Sequence, residues 1–221
     1  MQQPGPFALE ARKSGKSART RARLMDAATG IFARQGFQAA SVNEIARAAE
    51  VANGTFYLHF KDKEDIAAAI ITRIAGDVTR QIDDAMADIT DAVQRVSCGT
   101  RRFISFAGAN ADWGLAFFNA MWFFQSLREQ VIRYLRADLE LGQAQGKFTV
   151  TVDDFLIDMF GSMTLAALFG QLRGTADADA GSRVAELQLR MLGVDPALAK
   201  SVAWAPMAPL QLSIQNQINL N

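Results

Sequence analysis

Residues 41–66 read SVNEIARAAEVANGTFYLHFKDKEDI, and the spacing of apolar and capping residues in this run decides the fold. Ser41 with Glu44 three positions later is the pattern of a capping box, in which hydroxyl and carboxylate each satisfy the other's free backbone N–H. Val42, Ile45, Ala46 and Ala49 recur at helical spacing and make the inner face of a short helix. A break around Glu50-Val51-Ala52 leads to a second short helix, expected over 53–60, with Phe56 and Phe60 on its inner face. Asn53, Thr55, Tyr57 and His59 then point more outward. Asp62 starts a long third helix, and Glu64 and Asp65 lie in its first turn, where the helix dipole favours negative charge.

Working upstream, Leu24, Ala28, Ile31 and Phe32 share one face of a helix over 17–35, and Gly36 ends it where a left-handed residue is favoured. Two short helices with a tight turn, braced by a preceding helix, form the tri-helical variant of the helix-turn-helix. The second helix of such a pair fits a DNA major groove about 12 Å wide. Its outward residues hydrogen-bond without negative charge, which suits a groove lined by phosphates. Lys61 and Lys63 follow at the helix end, placed to neutralise phosphates. Charge points the same way. The chain of 221 residues is formally neutral, yet residues 1–63 hold ten Lys and Arg against five Asp and Glu, and the remainder carries the balancing negative charge. A basic reader on an acidic body is the asymmetry of a DNA-binding module joined to a sensor.

The run from Ser41 to Ile66, with the Gly36-Phe37 exit of the preceding helix, resembles the DNA-binding signature of the TetR family of transcriptional regulators over roughly residues 18–67. The resemblance implies that Thr55, Tyr57 and Lys63 contact phosphates, that His59 lies near the backbone contacts, and that Asn43 and Asn53 reach base edges. Asparagine bonds adenine bidentately. The pattern departs at Glu50, where the family often has glycine in the turn. A non-glycine residue held there at positive φ costs about 1 kcal/mol.

The rest of the chain also reads as helix, over 63–86, 90–109, 112–119, 122–142, 152–172, 181–193 and 196–203, without sustained strand alternation. The expected architecture is all-α: a flexible basic arm over 1–16, a helix-turn-helix domain over 17–62, a larger helical ligand-binding and dimerisation domain over 63–204, and a tail over 205–221. One recognition helix reads few base pairs, so specificity calls for two copies with half-sites about one helical turn (~34 Å) or a multiple apart. The helices over 152–172 and 181–193 carry more apolar residues than one stripe holds, and Gly161 and Gly170 in the first permit close helix approach. Phe155, Met159, Leu165, Phe169, Val184, Leu187 and Met191 are therefore the candidate homodimer contacts, as the last two long helices are in family members. The middle region interleaves aromatics with amides. Phe106, Asn110, Trp113, Phe117, Met121, Trp122, Gln125, Phe160 and Met163 are the candidate lining of a pocket for a small apolar or aromatic effector. Plain core packing is the competing reading of any one of them.

Catalysis is poorly supported. The single histidine, His59, lies in the recognition helix, and neither a Gly-rich phosphate loop nor a Cys-rich zinc spacing is present. No cofactor or metal is expected, and Asp153, Asp154 and Asp158 fit a helix N-terminus better than a metal site. The single cysteine, Cys98, forms no intrachain disulfide, which fits a reducing cytoplasm. No stretch is expected to approach a membrane span of about 20 apolar residues. The expected function is a ligand-released dimeric repressor of a palindromic operator. The alternative is a TetR-like activator, or a regulator controlled by a protein partner and lacking a small-molecule pocket.

Overall fold

The computed structural model describes residues 7–8, 11–110, 114, 117, 125–208 and 210. Its described residues form helices α1 (Lys16–Ala39), α2 (Val42–Ala48), α3 (Asn53–Tyr57), α4 (Lys63–Asp84), α5 (Ala92–Ala109), α6 (Gln125–Ala144), α7 (Asp154–Leu172), α8 (Ala180–Met191) and α9 (Pro196–Ala203), and no strand. The chain divides into two compact units, the first reaching Arg73 and the second running from Ile74. The break therefore falls inside α4 rather than at the expected 62/63 boundary.

In the first unit, Leu24, Ala28 and Ile31 of α1 are buried as their spacing predicts. Gly36 interrupts the helix at φ 79° and ψ 161°. Positive φ is as expected, but ψ lies outside the left-handed helical region and the chain takes another helical turn to Ala39. The capping box at α2 is complete. Ser41 Oγ accepts from the Glu44 N–H at 3.3 Å, and Glu44 Oε2 accepts from the Ser41 N–H at 3.0 Å. Hydrogen bonds from Ser41 and then Gln35 hold the Glu44 carboxyl below its ordinary pKa. The arm departs from the flexible reading at Phe7 and Ala8. Their N–H groups donate to the Asp26 carboxylate at 3.0 and 2.8 Å, and the Phe7 ring is buried. A 3-10 turn over Ala11–Lys13 follows.

In the second unit, α5 packs against α6, α7, α8 and α9. Val93, Val96, Leu139, Phe148, Ile157, Phe160, Leu189 and Leu192 fill the core. Gly142 is required where α6 meets the following loop, because a Cβ there would fall 1.9 Å from the Phe148 ring. Helix α7 is long and apolar enough by composition to cross a membrane, contrary to the expectation that no stretch comes near a span. Its buried side carries Leu156, Ile157, Phe160, Leu165 and Leu168. Asp153 caps it by accepting from the Leu156 N–H, and Asp154 and Asp158 pair with Arg136 and Arg128. Gly161 has no neighbouring atom within 4 Å of its virtual Cβ, so the close helix approach expected there is not made within the described chain.

Candidate functional site

The reader unit places α3 on a fixed base. Phe56 is fully buried and Phe60 nearly so, their ring centroids 5.8 Å apart, and the Arg21 guanidinium lies 4.7 Å from the Phe60 centroid. The helix ends at Tyr57, earlier than the expected 60. Asn43, Asn53 and Lys61 are exposed, Tyr57 is 56% exposed, and Thr55 and His59 are half-buried. Glu50 takes φ 55°, among the described residues the only positive φ outside glycine. The turn expected of glycine thus forms with a side chain in it.

Lys63 stands apart from the other basic candidates. Its Nζ donates to the Phe37 and Gln38 carbonyls at 2.8 and 3.2 Å and lies 4.5 Å from the Phe37 ring centroid. Two of the three N–H donors of this ammonium are thereby committed to the end of α1.

The second unit contains a cavity of about 130 Å³ that is partly open to solvent. Ile82, Met86, Val96, Phe103, Phe117, Leu135, Phe160 and Leu165 supply apolar wall, and Thr79, Asp83, Thr100, Tyr134, Asp138 and Thr164 are its polar lining among the described residues. Arg95 holds the two carboxylates. Its Nε donates to Asp138 Oδ1 at 2.6 Å, its Nη2 to Asp83 Oδ1 at 2.5 Å, and its Nη1 to the Met86 and Ile89 carbonyls at 2.8 and 3.4 Å. Burial pushes the Asp138 carboxyl above its ordinary pKa, against the opposing pull of the Arg95 hydrogen bond and charge. For Arg95, burial works to lower the pKa, but the bonds and charges of Asp138 and Asp83 outweigh it and raise the guanidinium. The geometry of two short charge-assisted bonds favours the ionised pair. Behind the cavity, Gln188 is fully buried. Its Nε2 donates to the Phe160 carbonyl and to Thr164 Oγ1 at 3.0 and 2.8 Å, and Thr100 donates to its Oε1 at 2.8 Å.

Residues 24–70 match the family described as bacterial regulatory proteins, tetR family. The chain is 27% identical over 215 residues to the A-factor receptor protein of Streptomyces griseus, covering 89% of this chain and 70% of that protein. It is 44% identical over 61 residues to the HTH-type transcriptional regulator AcrR of Shigella flexneri, which is 27% of this chain and 28% of that regulator. Among solved structures it resembles RolR in complex with resorcinol, with TM-score 0.70 and 27% identity over 90% of this chain and 98% of that one. Residues 24–70 therefore carry a tetR-family DNA-binding segment, and the rest of the chain resembles regulators of that family. Relatives it matches are named as transcriptional regulators, which supports a ligand-responsive regulator.

Of the pocket residues expected in the helical body, Phe117 and Phe160 line the cavity. Phe106 is buried and Met163 half-buried, but neither lines it, and Asn110 instead caps α5 by donating to the Phe106 carbonyl at 2.8 Å. Trp113, Met121 and Trp122, and the side chain of Gln125, lie outside the described residues. The sequence reading missed the threonines and the Asp83–Arg95–Asp138 cluster, because isolated Thr and Asp on amphipathic helices carry no motif. Of the dimer candidates, Phe155, Met159 and Leu187 are 74%, 45% and 52% exposed. Val184, Met191 and Phe169 are half-buried. Leu165 is the exception, since it is buried against the cavity and unavailable to a second copy.

Proposed function

We propose that this protein is a homodimeric repressor that binds a palindromic operator in the cytoplasm and is released when a small apolar or aromatic effector enters the cavity of the second unit. The observation that carries the reading is the cavity. Its wall is largely apolar with a few convergent polar groups, the composition of small-molecule sites, which favours effector control over control by a protein partner. RolR, similar along nearly its whole length, is solved with resorcinol, and that supports an aromatic effector here. The dimer reading rests on Phe155, Met159 and Leu187, large apolar side chains left exposed on α7 and α8.

DNA contact falls to Asn43, Asn53, Thr55, Tyr57, His59 and Lys61, with Lys63 keeping one donor for a phosphate. Release follows from linkage. An effector that prefers a spacing of recognition helices unlike that of the operator lowers DNA affinity by its differential binding to the two states. Helix α4 is the covalent route. Asp83 near its C-terminal end lines the cavity, and Lys63 at its start is bonded to the end of α1. Selection from a random duplex pool, followed by titration at two salt concentrations, tests the proposal. An inverted repeat is expected, with affinity falling as salt rises by about 0.9 log units per log unit for each phosphate neutralised. Absence of any enriched sequence would remove the operator-binding claim.

A further inference from the structure

Among the described residues, the threonine protons on the cavity wall are already spent. Thr79 Oγ1 donates to the Ala75 and Gly76 carbonyls at 2.9 and 3.1 Å, back along its own helix. Thr164 Oγ1 donates likewise to the Phe160 carbonyl at 3.3 Å. Thr100 gives its proton to Gln188, whose amide cannot be turned over, because the Phe160 carbonyl needs the NH2 on its own side. A threonine hydroxyl has one proton and two lone pairs, so Thr79 and Thr100 can only accept further bonds, and Thr164, which already accepts from Gln188 Nε2, keeps one lone pair. Asp83 and Asp138 each accept one bond from Arg95 through Oδ1, and no described residue donates to Oδ2 of either. The guanidinium itself is not among the lining residues and has four of its five N–H donors committed. The remaining polar lining residue among those described, Tyr134, keeps a hydroxyl proton, but that hydroxyl lies on the exposed side, 3.3 Å from Arg133 Nη2.

We infer that the effector is an uncharged single-ring aromatic bearing two or more O–H or N–H donors, bound with those donors on the acceptor wall of Thr100, Thr164, Asp83 and Asp138. This rests on reading the cavity as the effector site. Three considerations fix the class. A polar wall of acceptors leaves an ether or ester oxygen unpaired, and a buried unpaired acceptor is costly. Two carboxylates against one guanidinium leave a net negative wall, which repels carboxylate and phosphate ligands. A cavity of about 130 Å³ is close to the size that holds one benzene ring. The raised pKa of Asp138 agrees, because a carboxylate stripped of water and given one partner gains most from a new donor.

The test uses the full chain and three probes: resorcinol, 1,3-dimethoxybenzene and benzoate, titrated calorimetrically. Resorcinol is expected to bind at least tenfold more tightly than its dimethyl ether, and benzoate most weakly. Thr100→Val and Asp138→Asn should each narrow the diol-to-ether ratio toward one. Because Asp138→Asn also disturbs Arg95, Thr100→Val carries the comparison if the former fails to fold. Equal binding of diol and ether, or preference for benzoate, overturns the acceptor-wall inference while leaving the cavity as the effector site. If none of the probes binds, and none alters operator affinity, both readings fall together.

Discussion

Glu50 holds a backbone conformation that suits glycine. At φ 55° its Cβ crowds the following carbonyl, and nothing in the turn requires a carboxylate, since the side chain is exposed. Glu50→Gly is expected to raise the unfolding free energy by about 1 kcal/mol, read from urea denaturation of the two proteins. A fall in stability would show that the side chain contributes more than its backbone strain costs. The strain was legible in the sequence, because the neighbouring motif residues pin the register of the turn onto that residue. The tether of Lys63 was not legible. Its acceptors are carbonyls of Phe37 and Gln38, separated from it by 26 and 25 residues, and backbone carbonyls leave no mark on sequence. The lysine that reads as a phosphate contact therefore also anchors the start of α4 to the end of α1.

Helix α7 shows how far periodicity reaches. On an ideal helix Met159 and Phe169 lie about 40° to either side of Phe155, whereas Leu165 lies roughly 80° from Phe155 and 120° from Met159. The surplus of apolar residues foretold burial on more than one side, and the rotation explains why Leu165 belongs to the cavity instead. Val184, Leu187 and Met191 share one face of α8 in the same way. Together the two faces expose Phe155, Met159 and Leu187, large apolar side chains that a second copy would remove from water. Phe155→Glu combined with Leu187→Glu is expected to convert a dimer to a monomer in sedimentation velocity, without loss of helicity by circular dichroism. A dimer that survives both charges would place the interface elsewhere. The helix-turn-helix was readable almost in full from its caps and its two phenylalanines. Only its last turn differs, because the hydrogen-bonding pattern tightens after Tyr57, with the His59 N–H reaching back to the Phe56 carbonyl.

At the scale of the whole chain, the two units differ in how much of them a sequence can disclose. The reader is a local structure of consecutive short helices, so its motif and its fold coincide. The cavity is assembled from α4, α5, α6 and α7, and the Gln188 that orders its threonines is 88 residues from Thr100. Long-range convergence of common residues has no spacing to detect, which is why the threonines and the Asp83–Arg95–Asp138 cluster carry no mark in the sequence. One feature of the reader has a use at this scale. His59 is the single imidazole in 221 residues, and it sits half-buried in the reader just beyond α3. Its carbon-bound ring protons therefore give the unlabelled protein one reporter on the surface proposed to contact DNA. In a twofold complex the two copies are equivalent and yield a single resonance for each ring position. On an operator with unequal halves they yield two, so proton NMR counts the symmetry of the bound state directly.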